Sequence, residues 1–576
     1  MSLFAYLLRY RRGPFLLAIV AGIVSGGTGA AFIAMVNLAL DADGAPTVRL
    51  IWGYVALCLA TLLTRFVSQA MLYRLSQAAI YHLRRRLIDG ILGAPLRTVE
   101  KTGTARLYSA LSDDVVVIAD ALPGLPGICS GAAFVLVAIA YLVIVSPVVA
   151  LATGGTVVVG VLLYLLMSAT GLGALKAARR EQDVLFGHFR SVTEGIKELK
   201  LNRDRRAALV EQELEHTALA YRRHSVVGLS VYEGATGGGQ AVFFAFIGLL
   251  LFGFPAWFAL TGQTLAACVL ILLFAVSSLQ GVLVWFPALG RASVALATIE
   301  ERLAALKPAA GEPAASTSTA GPDAAVVAAP APATGTSTVV TNRFADWRGI
   351  AFRGVSHVYP GPTGEEFVLG PLDFEFRRGE ILFVVGANGS GKTTLAKVLT
   401  SLYPPEAGVI QVDGVEVTAA DREDYRNLFS AVFSDFHLFD SLLGLPADRA
   451  ARAEHYLRRL QLDHKVRITG DRFSTTALSL GQRKRLALLV AYLEDRSFYL
   501  FDEWAADQDP TFKDFFYREL LPELRDRDKA VVVISHDDRY FHAADRLVRL
   551  DYGQIREEEI PGGQAVAGRP GVESGR

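Results

Sequence analysis

Cysteine is nearly absent from this chain, with three residues, Cys58, Cys129 and Cys268, among 576. All three fall inside long apolar runs, so disulfide staples and cysteine zinc sites are not expected, and apolar filling is the default reading. Net charge is absent as well, with 57 lysines and arginines against 57 aspartates and glutamates. No basic block interleaves with aromatic residues, which argues against nucleic acid as a partner. What the chain has in excess is apolar residue, 52% of the total, with a mean hydropathy of +0.34. That is too hydrophobic for a soluble two-domain enzyme, and the excess lies almost wholly before residue 300.

A membrane-spanning helix needs about 20 mostly apolar residues. Six stretches qualify, near 14 to 40, 50 to 72, 122 to 145, 148 to 173, 230 to 254 and 264 to 288. Lys and Arg collect in short cytoplasmic segments. Here they precede the first span (Arg9, Arg11, Arg12), follow the second (Arg84 to Arg86, Arg97, Lys101, Arg106) and follow the fourth (Lys176, Arg179, Arg180, Lys197, Lys200). The opposite connections are poor in them, so both termini are expected on the cytoplasmic side of the inner membrane. The charged stretches from about 73 to 120 and 174 to 228 predict helices that continue beyond the bilayer toward a nucleotide domain. The first apolar run is too long for a secretory signal. It also begins almost at once, which leaves no room for a peptidase domain ahead of it, so cargo is expected to arrive already matured. From Lys307 to about Asn342 the sequence turns to Ala, Pro, Thr, Ser and Gly, which cannot bury a core.

The second half carries a run of nucleotide-handling motifs. Gly386-Ala-Asn-Gly-Ser-Gly-Lys-Thr-Thr394 follows the apolar run Ile381 to Val385, giving the strand, glycine loop and helix of a phosphate-binding loop. Backbone N–H groups around Gly386, Asn388, Gly389, Ser390 and Gly391 can close on phosphate oxygens, with the helix N-terminus behind Thr394 adding a positive end. Lys392 reaches the terminal phosphates, and Thr393 can ligate Mg²⁺. Phe498-Tyr-Leu-Phe-Asp-Glu503 and Val531-Val-Val-Ile-Ser-His536 are further β-type runs ending in chemistry. Asp502 is placed to hold Mg²⁺, Glu503 to polarise the attacking water, and His536 to contact the γ-phosphate.

Leu478-Ser-Leu-Gly-Gln482, lying between the loop and the Asp-Glu pair, resembles the signature of ATP-binding cassette proteins. In that family the signature of one cassette covers the nucleotide held by another. The resemblance therefore implies a homodimer with composite ATP sites, in which Ser479, Gly481 and Gln482 face the partner's nucleotide. Tyr359 matches the aromatic that stacks on adenine, and Asp509 matches the aspartate that communicates between the two sites. Two positions depart from the family. Ser434 stands where glutamine is usual, leaving either Ser434, Asp435 or a water to meet Mg²⁺, and Ala506-Asp-Gln-Asp509 replaces Ser-Ala-Leu-Asp. Hydrolysis is still expected, because Lys392, Asp502, Glu503 and His536 are all present.

The implied fold is an all-α six-helix transmembrane domain of the exporter type (1–306), a flexible linker (307–343), an α/β P-loop nucleotide-binding domain (344–562) and a disordered tail (563–576). Gly481 to Leu488, Asp502 to Pro510, Ile534 to Phe541 and Glu194 to Lys200 together resemble the cyclic-peptide and siderophore exporter branch, whose members move lasso peptides, lipopeptides or peptide siderophore precursors. Within the spans, Glu233, Gly237 and Gln240 share one helix face. With Gln280 and Trp285 of the sixth span they would line a wet cavity for a peptide-like solute, unless Glu233 simply sits solvated near the cytoplasmic end. Arg65 in the second span is expected either to pair with it or simply to snorkel. Gly22, Gly26, Gly29 and Gly237 to Gly239 are expected to serve close helix packing. A lipid or glycolipid flippase has the same architecture, and a membrane ATPase that regulates a partner without solute flux is a third reading.

Overall fold

The computed structural model describes residues 12–40, 48–258, 262–306, 342–360, 366–445 and 451–560. Most of the expected linker and the whole tail lie outside the described residues. The chain divides into two units, one of residues 1–88 and 105–304, the other of residues 89–104 and 305–576.

The first unit is helical. Its principal helices are α1 (Arg12–Leu40), α2 (Val48–Gly93), α4 (Gly124–Val145), α5 (Pro147–Glu194), α6 (Glu215–Phe252) and α7 (Gly262–Ala305), with α3 (Leu96–Thr102) belonging to the second unit. Among the described residues, six helical segments are long and apolar enough to cross a membrane. Helix α2 has 46 residues, roughly 70 Å at 1.5 Å per residue, more than twice the hydrocarbon thickness. The expected extensions beyond the bilayer are thus continuous with the spans. The breaks fall where the backbone leaves helical geometry, at Ser146 before Pro147, at Gly195 and at Asn202. Helix α1 packs along α4, and α5 along α6. Close approach explains one glycine well: a Cβ on Gly26 would lie 2.3 Å from the Ser130 carbonyl oxygen. Gly22 and Gly29 also meet neighbouring side chains, whereas Gly237 has nothing within 4 Å.

The second unit is α/β. A four-stranded antiparallel sheet runs in the order β2 (Glu366–Arg377), β1 (Gly349–Pro360), β4 (Ala407–Val412), β5 (Val415–Glu416). A six-stranded sheet runs in the order β10 (Gln554–Glu559), β9 (Arg546–Asp551), β3 (Ile381–Val385), β8 (Ala530–Ile534), β7 (Phe498–Asp502), β6 (Phe429–Val432). Its strands are parallel except β10. Every residue of β3, β7 and β8 is buried, the continuous apolar pattern of a parallel sheet covered on both faces.

Two segments fall in this unit against expectation. Asn342 and Arg343, assigned to the linker by composition, are fixed by an Asn342 hydrogen bond to the Asp424 carbonyl (3.0 Å) and an ion pair between Arg343 and Asp421. Residues 89–104, assigned to the membrane domain, pack here because the half-buried Leu96 lies against the core around β3 and Glu100 is held by Lys397 (2.8 Å) and the Tyr403 hydroxyl. Arg97 pairs with Glu406 at 2.5 Å.

Candidate active site

Ligands of open parallel sheets bind beyond the carboxyl ends of the strands, and the order β3-β8-β7-β6 lines four such ends side by side. The phosphate-binding loop leaves β3, His536 follows β8, Asp502 and Glu503 end β7, and Ser434 follows β6. The loop turns into helix α8 (Lys392–Leu399) through Gly391, whose φ of +100° favours glycine and on which a Cβ would lie 2.8 Å from the Phe367 ring. Asn388 and Gly389 are exposed at the loop crest.

Lys392 is 6% exposed and donates to the Gly386 and Ala387 carbonyls (3.0 and 2.8 Å). Burial lowers its pKa, opposed by the charges of Glu503 and Asp502. Asp502 is 1% exposed, and burial raises its pKa, aided by Glu503 and opposed by hydrogen bonds from Thr393 (3.1 Å) and Ser434 (3.3 Å) to Oδ2. Both Ser434 and Asp435 are exposed, and it is Ser434 that reaches the carboxylate directly. Among the described residues, Asp502 Oδ1 and Ser390 Oγ are buried without a hydrogen-bond partner. Buried polar atoms are normally paired, so an orphan carboxylate oxygen beside Thr393 Oγ1 and Ser434 Oγ fits a hard cation with oxygen ligands. Lys392, Ser390 and the loop amides likewise fit a phosphate chain.

Glu503 lies just beyond its strand in left-handed conformation, φ +50° and ψ +32°. His536 Nε2 is 3.0 Å from Glu503 Oε1, and because a carboxylate only accepts, the imidazole donates. Glu503, His536, Ser535, Tyr517 and Lys513 line a cleft of about 320 Å³. Tyr359, 40% exposed, stacks on Tyr403 at 6.5 Å, and the buried His357, whose pKa is lowered by burial, stacks on the same ring at 4.8 Å.

The signature opens helix α9 (Leu480–Glu494). Ser479 is its N-cap, in a reciprocal capping box with Gln482. Ser479 and Leu480 are exposed, and among the described residues no hydrogen bond or ion pair joins this turn to the phosphate loop. Instead it is joined to the segment after Glu503: Gln508 Nε2 donates to the Gly481 carbonyl (3.0 Å), and a Cβ on Gly481 would lie 2.7 Å from the Asp507 carbonyl oxygen. Asp509 caps the helix α10 (Pro510–Phe515) by accepting from Phe512 N–H, which with Arg485 lowers its pKa.

Comparison with known proteins fits this geometry. Residues 14–283 match the ABC transporter transmembrane region and residues 369–506 match the ABC transporter family. The ATP-binding protein SyrD of Pseudomonas syringae pv. syringae is 36% identical over 93% of this chain and 93% of its own length. The chain belongs to the ABC transporters. It is a fused half-transporter, multi-pass in the membrane, that binds ATP and hydrolyses it to drive transport. Shorter similarities include an ATP-dependent lipid A-core flippase of Haemophilus influenzae, 30% identical over 36% of this chain and 37% of that one. A subtilin transport ATP-binding protein of Bacillus subtilis is 30% identical over 36% of each chain. In fold, the transporter superposes on a bacterial Atm1-family ABC exporter with ATP bound, with a TM-score of 0.71 at 17% identity over 96% of this chain and 95% of the other.

The substrate-side residues behave differently. Glu233 is exposed and Gln240 half-buried on α6. On α7, Gln280 is half-buried and the Trp285 ring lies where a Cβ on Gly124 would be, 2.3 Å away, and 3.8 Å from one on Gly127. Among the described residues no hydrogen bond or ion pair joins Glu233 or Gln240 to Gln280, Trp285 or Arg65. Trp285 is therefore accounted for by packing against α4, a role that periodicity within α7 alone could not reveal. Sequence reading also missed Lys484, Arg485, Asp507 and Gln508. The signal that could have found them is the simultaneous change of residue type in two segments some twenty residues apart.

Proposed function

We propose that the chain is one half of a homodimeric exporter of the inner membrane, both termini cytoplasmic, that uses ATP to move a modified or cyclic peptide out of the cytoplasm. The likeness to SyrD over 93% of both chains carries this reading. It takes in Gly481 to Leu488 and Asp502 to Pro510, the segments that resemble the cyclic-peptide and siderophore branch. The similarity to a subtilin transport protein points the same way.

In this reading Tyr359 stacks on adenine, and Gly386, Asn388, Gly389, Ser390, Gly391 and Thr394 hold the phosphates through backbone and side-chain donors. Lys392 neutralises the terminal phosphates. Glu503 takes the proton of the attacking water, with its carboxylate oriented by His536, which also faces the γ-phosphate. Mg²⁺, when bound, neutralises charge on the β- and γ-phosphate oxygens; Thr393, Asp502 and Ser434 are the residues placed to hold it. Ser479, Gly481 and Gln482 cover the partner copy's nucleotide, and Asp509 links the two sites. Closure of two cassettes favours the outward-facing cavity and hydrolysis resets it. Glu233, Gln240 and Gln280 are the polar groups offered to cargo.

A flippase reading is favoured by the similarity to the lipid A-core flippase. ATPase rates of the protein in lipid nanodiscs, with lasso, lipopeptide and siderophore peptides and with Glu503→Gln as the blank, separate the two. Stimulation by one peptide class, lost in Glu503→Gln, is the expected result. Indifference to peptides with stimulation by lipid would transfer the function to flipping. No hydrolysis under any condition would mean that Ser434 marks a site that binds without turnover.

A further inference from the structure

Lys484 is a buried cation, 3% exposed, at the start of the second turn of α9, two residues after the signature. A buried lysine must be paired to remain charged, and both of its partners belong to the segment that begins at Glu503. Its Nζ donates to the Glu503 carbonyl at 2.8 Å and meets Asp507 Oδ2 at 2.6 Å. Its own carbonyl accepts from the Trp504 indole at 2.8 Å. The neighbouring Arg485 bonds Gln508 (2.9 Å) and Asp509 (2.5 Å) and lies 3.7 Å above the Phe512 ring. Asp507 stands where the family's motif has alanine, and its carboxylate is the charge that meets Lys484.

The residue gripped is an unusual one. Glu503 holds a left-handed conformation that a residue with a side chain adopts only when its surroundings fix it. Its N–H is held by the Ile534 carbonyl at 3.0 Å, its carboxylate meets His536, and its carbonyl is held by Lys484 and by Ala506 N–H at 3.3 Å.

We propose that Lys484 is a positioning residue for hydrolysis. It sets the carboxylate of Glu503 by fixing that residue's carbonyl, and it ties Glu503 to the helix whose first turn is the signature. A shift of Ser479 to Gln482 when they engage the partner copy's nucleotide is then delivered, within one chain, to that chain's own Glu503. The proposal rests on the reading of Glu503 as the group that activates water.

The test uses the full chain in nanodiscs with ATP and Mg²⁺, comparing wild type, Lys484→Met, Lys484→Arg, Asp507→Asn, Glu503→Gln and the Lys484→Met/Glu503→Gln double variant. Misplacing a catalytic group by about 1 Å can cost about 100-fold, so Lys484→Met is expected to lower kcat by roughly ten- to a hundred-fold with KM for ATP unchanged. Lys484→Arg should recover part of the loss, and Asp507→Asn should show a smaller fall of the same kind. Residues that act through one another are not additive, so the double variant should be no slower than Glu503→Gln. Wild-type kcat in Lys484→Met overturns the proposal. So does a parallel loss of kcat and ATP affinity that Lys484→Arg does not relieve, or a double variant slower than Glu503→Gln. Should Lys484→Met fail to accumulate as folded protein, Asp507→Asn decides by the same split. Wild-type turnover by Glu503→Gln would instead overturn the role of Glu503 itself.

Discussion

The nucleotide unit and the membrane unit bury their apolar residues by different rules. In β3, β7 and β8 every side chain is buried, because the sheet is covered on both faces. Along the spans of α2 and α5 much of the apolar surface faces outward, with Leu62, Leu63 and Phe66 at 64 to 69% exposure and Leu151 at 82%. The first pattern leaves a polar residue at a strand tip no destination except the sheet edge, so Asp502 and His536 are fixed by the chain itself. The second leaves the facing of a polar side chain to what surrounds the helices, and not to the chain's own core. Chemistry is thus written locally in one unit and collectively in the other.

Substituting Asp502 probes that comparison most strongly. Asp502→Asn is expected to abolish Mg²⁺-dependent turnover, since it removes the one carboxylate that Thr393 and Ser434 share. Its effect on the nucleotide-free protein should run the other way. Burial raises the folded pKa of Asp502 above its unfolded value. Folding therefore favours the protonated form, and the ionised form costs stability that grows as pH rises through the folded pKa. The amide avoids that cost, so its unfolding midpoint should exceed wild type at pH 8, with the gain fading as pH falls toward about 4. A midpoint below wild type at pH 8 would mean that the carboxylate is a structural keystone.

Gly26→Leu tests the membrane side. A side chain placed 2.3 Å from the Ser130 carbonyl must push α1 from α4, and overpacking of this kind costs typically about 1–3 kcal/mol. Thermal unfolding of the detergent-solubilised protein should fall, with ATP affinity kept. Loss of ATP affinity along with the midpoint would show that the two units do not respond separately. The smallest effect is expected from Glu233→Gln, which should leave basal hydrolysis unchanged and alter only the concentration of peptide needed to stimulate it. A large loss of basal rate would mean that Glu233 has a structural partner.

The same contrast governs what could be read from the residues. Six spans, the phosphate loop and the strand-tip groups were legible, because a five-residue apolar run followed by Gly-x-x-Gly or Asp-Glu admits one geometry. Helix ends were less so: α2 runs on to Gly93 because nothing in its charged half breaks a helix. The reach of Ser434 to Asp502 was undecidable against Asp435, since adjacent residues after a strand point different ways. The packing of Trp285 on Gly124 was not legible, because Gly124 lies in another helix. The pairing of Lys484 with Asp507 was invisible for the same reason: each looks like an ordinary surface charge until the two elements are laid together.

Residues 89–104 carry a practical consequence. A cassette expressed alone from residue 342 onward would keep Lys397, Tyr403 and Glu406 but lose Glu100 and Arg97, which meet them here. The Tyr403 hydroxyl, on the ring that Tyr359 stacks against, would lose its carboxylate partner, and the core would lose the packing of Leu96 against it. Nucleotide affinities and melting points measured on such a fragment would describe a damaged object, because the working cassette is spliced from two stretches of chain some two hundred residues apart.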